Sequence, residues 1–371
     1  MIVAGIDIGS RATKAVLLNK ASVISSIICD TGPESVKTSE SAMELLLKGT
    51  GVSFKEVRYT VATGYGRILV PFANENVSEI SCHARGVNHC FPSVRTILDM
   101  GGQDCKAIRC DEQGRVVDFV MNDKCAGGTG RFLEIIAEVL DVPLSSIGEV
   151  AMDSSSDIPF NTVCAVFAKS EAISYLKRGV PKGDILSGLH EAIATRSVNL
   201  LKRVSIEKDF SISGGIAKNR GMVQKLKEKV GLEPLLAEDP QLMGALGAAL
   251  FARERGQSRN GDGLKIQYGY ADATGNYFII VDRAKCDGCG KCVSACPSSI
   301  FDVARENGDQ PKAVVREEVR KRLSLLCPGF GACANSLKTN CHSVCQGNAI
   351  SHTWDVALND QQAGAVRRNR E

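Results

Sequence analysis

A ten-residue pattern that occurs twice in this chain constrains its fold more than any other feature. Residues 7–16 (DIGSRATKAV) match residues 99–108 (DMGGQDCKAI) at a constant offset of 92 positions. Each copy joins two apolar runs through a glycine-containing turn, which predicts a strand, a tight turn and a second strand. The sequence therefore predicts a duplicated α/β domain with one such hairpin in each half.

The segments that follow the hairpins are mainly of helical character. The sequence predicts helices over Gly130–Leu140, Ala165–Lys177, Ile185–Lys202 and Met243–Arg253. Residues 209–219 (DFSISGGIAKN) predict a strand, a glycine turn and the start of a further helix. This third glycine turn could hold an adenosine, because glycine has no Cβ and admits close approach of a ligand to the backbone.

The glycine turns of the two hairpins are suited to binding phosphate. Without a Cβ in the way, successive backbone N–H groups can approach a ligand and form an anion-binding nest. Asp7 and Asp99 lie beside these turns, and a carboxylate next to phosphate requires an intervening cation, for which Mg²⁺ is the natural choice. A single Asp-x-Gly is also typical of an ordinary hairpin turn. The second copy, together with the Gly214–Gly215 pair before a helix, favours ATP binding.

Eight of the fifteen cysteines fall between residues 286 and 345. The first four have the spacing C-x2-C-x2-C-x3-C-P of bacterial ferredoxins, in which the fourth cysteine usually binds the other cluster. A second, less compact set of four follows. The sequence therefore predicts two crossed [4Fe-4S] clusters, one held by Cys286, Cys289, Cys292 and Cys345, the other by Cys296, Cys327, Cys333 and Cys341. Zinc is the alternative occupant of each quartet.

Composition argues against several other classes of protein. The net charge of +3 and the aromatic content of 5% give no indication of a nucleic-acid partner. No apolar run reaches the length that a membrane span requires. The odd number of cysteines and the absence of an export signal favour a cytoplasmic protein with metal or redox chemistry over a disulfide framework. We predict an ATPase domain over 1–254, a linker over 255–268, a small α+β ferredoxin-like domain over 269–356 and a flexible tail over 357–371.

Motifs across residues 1–254 resemble those of the ATP-dependent activators of 2-hydroxyacyl-CoA dehydratases and the related ATPase subunits of benzoyl-CoA reductases. In chain order they are GIDIGSRATKAVLL, VATGYGR, ILDMGGQDCKAI, NDKCAGGTGRFLE, FNTVCAVFAKSE, SISGGIAKNRGM and DPQLMGALGAAL. The resemblance implies a duplicated ATPase domain of the actin/Hsp70/sugar-kinase fold. The cysteine-containing motifs are its most specific members, because the general sugar kinases of this fold lack that cysteine pair.

The resemblance also implies a third cluster. Cys125 and Cys164 each precede a helical stretch, where the helix dipole stabilises a thiolate. Two ligands per chain imply one [4Fe-4S] cluster shared across the axis of a homodimer, or of a heterodimer with a paralogous subunit. On spacing alone, two buried free cysteines are the alternative.

The ATP site is assigned to the three glycine turns and to the segment that follows Cys125. Asp7 and Asp99 are predicted to act at Mg²⁺, and Gln103 or Asp104 to orient the attacking water. The histidines show no ligand spacing and are interpreted as structural. The predicted cofactor-binding residues are Gly9, Ser10, Arg11, Thr13, Lys14, Gly101, Gly102, Gly127, Gly128, Thr129, Gly130, Glu134, Gly214, Gly215, Lys218 and Asn219.

Together these features predict an ATPase that transfers electrons of low potential. An external donor would reduce the ferredoxin-type clusters, and the resemblance implies an iron–sulfur acceptor enzyme that acts on acyl-CoA. Three alternatives stay open: a permanent ATPase subunit of a benzoyl-CoA-reductase-type complex, a small-molecule kinase with a ferredoxin appendage, and a redox-sensing nucleotide switch.

Overall fold

Two sheets, each built around one of the repeated hairpins, form the N-terminal part of the structure. The computed structural model describes residues 1–122, 129–156, 158–160, 165–258, 265–272, 275–305, 310–320, 323–329, 333, 335 and 339–356. The first sheet contains β1 (Ile2–Ile8), β2 (Ala12–Asn19), β3 (Ser22–Asp30), β4 (Val57–Thr63) and β5 (Glu75–Asn76), in the order β3-β2-β1-β4-β5. The second contains β6 (Thr96–Met100), β7 (Cys105–Cys110), β8 (Val116–Asn122) and β9 (Phe210–Ser213), in the order β8-β7-β6-β9.

Eight helices of the described residues accompany these two sheets. They are α1 (Ser35–Leu47), α2 (Glu79–Cys90), α3 (Gly130–Leu140), α4 (Ile147–Met152), α5 (Ala165–Lys177), α6 (Lys182–Lys202), α7 (Arg220–Val230) and α8 (Met243–Ser258). The predicted ranges of α3 and α5 are confirmed, whereas α6 begins three residues earlier than predicted, directly after Pro181. Proline is well tolerated at a helix start, because the first N–H groups of a helix have no acceptor within the helix.

The two predicted hairpins are confirmed. β1 and β2 pair antiparallel with Asp7 opposite Lys14, and β6 and β7 pair antiparallel with Asp99 opposite Lys106. On its other side each aspartate-bearing strand has a parallel neighbour, β4 or β9. The shared register brings equivalent residues of the two copies to equivalent positions, while the origin of the two halves by duplication stays a prediction.

Helices α2 and α8 lie between the two sheets and share a core with both. Val3 of the first sheet and Ile97 of the second pack in one buried cluster with Val87 of α2 and Leu250 of α8. Helices α3 to α7 bury their apolar residues in a second cluster against β6, β7 and β9, and α1 packs on the first sheet. This arrangement turns both hairpin turns toward one cleft.

The packing of α8 depends on glycine at points of close backbone approach. A Cβ added at Gly247 would lie 1.8 Å from the carbonyl oxygen of Cys82 in α2. A Cβ added at Gly5 of β1 would lie 2.2 Å from the carbonyl oxygen of Ala245 in α8. The backbone of α8 therefore lies directly against a helix on one side and a strand on another.

We expect Gly247→Ala to lower the free energy of unfolding by about 1–3 kcal/mol, because the new methyl group must displace backbone rather than a flexible side chain. Gly32→Ala is the matched control, since its Cβ would meet only Oγ1 of Thr38, at 3.4 Å. Urea unfolding of both variants measures the difference. Equal midpoints for the two variants would contradict the packing argument.

The C-terminal end of α8 differs from the predicted boundary between the domains. The helix continues to Ser258, and an ion pair between Arg85 of α2 and Glu254 holds its polar last turns. The next strand begins at Lys265. The end of α8 and the start of this strand thus occupy parts of the predicted linker, 255–268. The predicted tail, 357–371, lies outside the described residues.

The C-terminal part contains a three-stranded sheet and a two-stranded one. The first has the order β10-β11-β14 and the second pairs β12 with β13, all antiparallel. The elements are β10 (Lys265–Asp272), β11 (Gly275–Asp282), α9 (Lys291–Ala295), β12 (Phe301–Ala304), β13 (Lys312–Val315), α10 (Glu317–Arg320), α11 (Leu323–Leu326) and β14 (Ile350–Val356). Ile279 and Val281 pack in one buried cluster with Cys286, Cys292 and Cys327. Within the described ranges, no helix has both the length and the apolar character that crossing a membrane requires.

Candidate functional site

A cavity of about 670 Å³ lies where the two hairpin turns, the start of α3 and the turn after β9 meet. Most of the predicted nucleotide-binding residues line it. These are Gly9, Ser10, Arg11, Lys14, Asp99, Gly101, Gly102, Asp104, Gly130, Glu134, Gly214, Gly215, Lys218 and Asn219. Predicted site residues from separate segments of the sequence are therefore brought together in one place.

Four other predicted residues lie outside this lining. Asp7 is fully buried behind Lys14, and the Thr13 hydroxyl bonds the Thr31 hydroxyl at 2.8 Å on the opposite side of β2 from Lys14. Gln103 is exposed, and Thr129 is buried directly before α3. Gly127, Gly128, Cys125 and Cys164 lie outside the residues that the structure describes.

Backbone hydrogen bonds attach the start of α3 to the second hairpin turn. The N–H of Gly130 donates to the carbonyl of Gly101 at 3.0 Å, and the N–H of Arg131 donates to the carbonyl of Gly102 at 2.8 Å. From the first turn, Arg11 reaches Glu134 of α3 with Nε 3.2 Å from Oε1. Both hairpin turns thus contact the helix that follows the Cys125 segment.

One carboxylate oxygen of Asp7, in the first hairpin, makes no hydrogen bond within the described residues. Lys14 Nζ donates to Asp7 Oδ2 at 2.9 Å, while Asp7 Oδ1 is buried and has no hydrogen-bond partner within the described residues. Burial would lower the pKa of Lys14, but the adjacent Asp7 carboxylate outweighs this effect and raises it. A buried carboxylate oxygen without a donor costs free energy, so it is suited to a hydrated cation or to water.

The second aspartate is held by three side chains. Asp99 Oδ1 accepts from the Ser213 hydroxyl at 3.0 Å and lies 3.2 Å from His83 Nδ1, and its Oδ2 lies 3.3 Å from Lys106 Nζ. Burial alone would raise the pKa of Asp99, but the charges of His83 and Lys106 outweigh it and the pKa is lowered. Asp99 is therefore kept ionised at the wall of the cavity.

Lys106 is the centre of a buried charge network. Its Nζ lies 2.8 Å from Asp104 Oδ2 and 3.1 Å from Glu79 Oε1, in addition to Asp99. Burial would lower the pKa of Lys106, but these three carboxylates raise it well above its usual value. Burial raises the pKa of Glu79, against the attraction of Lys106. A single lysine thus offsets the charge of a group of acids that face the cavity.

Sequence reasoning missed Glu79 and His83 as members of this site. Both line the cavity, and with Asp99 they offer three ligand atoms within 4.8 Å of one another. The interpretation of the histidines as structural does not account for the place of His83 in the cavity wall. The spacing of four residues on α2 puts Glu79 and His83 on one helix face, which is the signal that could have found them.

The remaining wall of the cavity is suited to a flat, apolar ring. Leu133, Leu144 and Ile147 line it together with Gly215 of the turn after β9. Gly214 has a φ of +85°, and a Cβ there would lie 2.4 Å from the carbonyl oxygen of Met100. The cavity thus combines glycine turns and carboxylates at one part with an apolar wall at another, as a nucleotide requires.

The C-terminal thiols fall into the two groups that the crossed assignment predicts. Burial, followed by the nearby Cys286, Cys289 and Cys345, raises the pKa of the Cys292 thiol to about 11. Burial, followed by Cys327, Cys296 and Cys333, raises the pKa of the Cys341 thiol to about 12. The action of these residues as metal ligands stays a prediction.

The surroundings of the first quartet (Cys286, Cys289, Cys292 and Cys345) include N–H donors to sulfur, as expected around an iron–sulfur cluster. Backbone N–H groups of Ala313 and Ala349 donate to the sulfurs of Cys286 and Cys345 at 3.3 and 3.2 Å. Such N–H···S contacts are one means by which proteins adjust the reduction potential of these clusters. The second quartet, formed by Cys296, Cys327, Cys333 and Cys341, lines a cavity of its own. Every cysteine in the described ranges is a free thiol.

The fold and the two sites define an ATPase joined to an iron–sulfur module. Residues 4–252 match the model of the BadF/BadG/BcrA/BcrD ATPase family, and residues 278–301 match a 4Fe-4S binding domain. The chain therefore belongs to the BadF/BadG/BcrA/BcrD ATPase family and contains a C-terminal 4Fe-4S domain.

Similar proteins support this assignment. The chain is 41% identical over 258 residues to the 2-hydroxyisocaproyl-CoA dehydratase activator of Clostridioides difficile, covering 68% of this chain and 95% of that protein. It is 32% identical over 265 residues to a component of the benzoyl-CoA reductase of Thauera aromatica, covering 68% of this chain and 94% of that protein. The solved structure of the Clostridium difficile activator with bound ADPNP superposes with a TM-score of 0.67 at 39% identity, over 70% of this chain and 97% of that one. The predicted ATPase fold is confirmed.

Proposed function

We propose that this protein uses ATP hydrolysis to drive electrons of low potential from its ferredoxin-type clusters, through a cluster shared between two subunits, to a partner iron–sulfur enzyme. The partner is of the 2-hydroxyacyl-CoA dehydratase or benzoyl-CoA reductase type. The observation that carries the proposal is the presence, in one chain, of the ATPase family match over 4–252 and two thiol quartets near the C-terminus. When bound, the clusters supply one-electron transfer at low potential.

The cavity residues have defined tasks in ATP hydrolysis. Water forms a bond to the γ-phosphorus while the bond to the leaving ADP oxygen breaks, which releases ADP and phosphate. The glycine turns hold the phosphates through backbone N–H groups. Asp7 and Asp99 would hold Mg²⁺, partly through water. Asp104 lines the cavity whereas Gln103 is exposed, so we assign the orientation of the attacking water to Asp104.

The contacts of α3 provide a route from the nucleotide to the shared cluster. Both hairpin turns contact this helix, through Gly101 and Gly102 of the second turn and Arg11 of the first. Cys125 precedes α3 by only a few residues in the sequence. A change in the turns on hydrolysis therefore shifts α3 and the segment that carries Cys125, in a two-state closure.

The similarity to the benzoyl-CoA reductase component supports a second assignment, a permanent ATPase subunit of a larger complex. The same cavity and thiols would serve it. The two assignments differ in assembly, since an activator is a free homodimer whereas a permanent component stays bound to its paralogue. The native mass of the protein, measured without oxygen from its own cells, distinguishes them.

We expect the anaerobic dimer to contain about five [4Fe-4S] clusters, two in each C-terminal module and one shared. Cys125→Ser is expected to lose about one cluster per dimer and all ATP-dependent electron transfer, because the shared cluster loses two of its four ligands. Iron and sulfide analysis and reduction of an acceptor protein measure both.

Cys29→Ser is the matched control, since Cys29 lies on β3, far in sequence from any predicted ligand. It should keep its full iron content and its activity. Full iron together with full ATP-dependent transfer in Cys125→Ser would overturn the bridging role.

A further inference from the structure

A histidine pair lies beside the second thiol quartet. His352 of β14 lines the same cavity as Cys296, Cys327, Cys333 and Cys341, with its Nε2 3.8 Å from the sulfur of Cys327. No spacing pattern indicates this contact, because 25 residues separate the two. The strand β14 brings the imidazole to the quartet.

A second imidazole fixes the orientation and the tautomer of the first. His342 Nε2 lies 2.5 Å from His352 Nδ1, and the two rings stack with centroids 4.7 Å apart. A metal-bound thiolate accepts hydrogen bonds and has no proton to donate. His352 therefore donates from Nε2 to Cys327, and its Nδ1 accepts the proton of His342 Nε2. One set of tautomers satisfies both contacts.

The first quartet has a different side-chain neighbour. The backbone N–H of Cys289 donates to Oδ1 of Asp287 at 3.1 Å, while the sulfurs of Cys286 and Cys345 accept from the backbone N–H groups of Ala313 and Ala349. Once Cys289 is a thiolate, Asp287 offers it negative charge in place of a donor. Negative charge near a cluster opposes its reduction, whereas an N–H donor to a cluster sulfur favours it.

Resting on the cluster assignment of the proposed function, we infer that His352, oriented by His342, raises the reduction potential of the second quartet's cluster. His352 is thus a positioning and tuning residue rather than a ligand. The contact thus makes it easier for an electron to settle on the second quartet, formed by Cys296, Cys327, Cys333 and Cys341.

An anaerobic redox titration of the full-length protein, followed by electron paramagnetic resonance, tests this inference. We expect His352→Leu to make one C-terminal cluster harder to reduce by about tenfold at fixed ambient potential, which is about 59 mV for a one-electron couple. His352→Gln is the conservative variant, because its amide can donate to Cys327 in place of Nε2, and it should recover part of the shift. The other cluster should keep its potential in both variants.

The variant His342→Phe gives a second, independent measurement. It keeps the stacked ring and removes the donor to His352 Nδ1, so we expect a shift in the same direction but smaller. Unchanged or raised potentials in His352→Leu and His342→Phe, with full iron, would overturn the tuning role alone. If His352→Leu loses its cluster, the reduction potential measured in His342→Phe tests the tuning role instead. Absence of both C-terminal cluster signals from the parent protein would overturn the proposed function instead.

Discussion

Lys106→Met is expected to lower the free energy of unfolding by about 3–5 kcal/mol, because it removes a cation that lies within 3.3 Å of Glu79, Asp99 and Asp104. The Lys106 side chain is 2% exposed, so its ammonium group is buried among these carboxylates. Removing one partner of a buried ion pair leaves an uncompensated buried charge, which costs far more than the pair contributes. Chemical denaturation at neutral pH measures the loss.

Two further variants separate charge from packing. Lys37→Met removes an exposed ion pair with Glu34, 2.9 Å long, and should change stability by less than about 1 kcal/mol. Lys106→Met combined with Asp104→Asn should be more stable than Lys106→Met alone, since one buried charge fewer is left unpaired. A loss below about 1 kcal/mol for Lys106→Met would contradict the network.

The same network gives the destabilisation a pH dependence. Burial already raises the pKa of Glu79, and loss of the Lys106 charge removes the attraction that opposes this rise. A carboxyl with a raised folded pKa binds more protons folded than unfolded, so the protein gains stability as pH falls through the folded pKa toward the unfolded one. The difference between parent and Lys106→Met should therefore shrink as the pH is lowered from neutral toward the range in which an unfolded glutamate titrates.

The parts of the nucleotide site that were predictable are those encoded locally. Glycine and aspartate at fixed spacing determine a turn without reference to the rest of the chain, so both hairpins and Gly214–Gly215 could be found from sequence. The spacing of four residues places Glu79 and His83 on one face of α2, but spacing alone does not bring that face to Asp99. Their approach to Asp99 depends on how α2 packs between the two sheets, which is a tertiary property.

In the iron–sulfur module, too, some residues are predictable from sequence spacing and others are placed by tertiary packing. Cysteine spacing predicts the two groups, because ferredoxin-type clusters require ligands at set intervals. The contact of His352 with Cys327 has no such interval, since it depends on the position of β14 beside β11. Side chains that hold a group directly follow a spacing rule, whereas those that tune it are placed by the packing of distant elements.

The crossed assignment of the C-terminal thiols makes a prediction of large effect. Cys345→Ser and Cys289→Ser should each lose about four iron atoms per chain and leave the same remaining C-terminal cluster, because both thiols lie in the group around Cys292. Cys296→Ser and Cys333→Ser should leave the other cluster, because both lie in the group around Cys341. Electron paramagnetic resonance of the reduced variants identifies which cluster remains.

An uncrossed assignment gives a different pairing, and this makes the experiment decisive. If each cluster took four cysteines consecutive in sequence, Cys296→Ser would resemble Cys289→Ser, and Cys345→Ser would resemble Cys333→Ser. The spectra of the four variants distinguish the two schemes without reference to activity. In the crossed scheme each cluster joins the first cysteine run to the second, so loss of either cluster should also lower the thermal stability of the whole module, as removal of a structural metal site does.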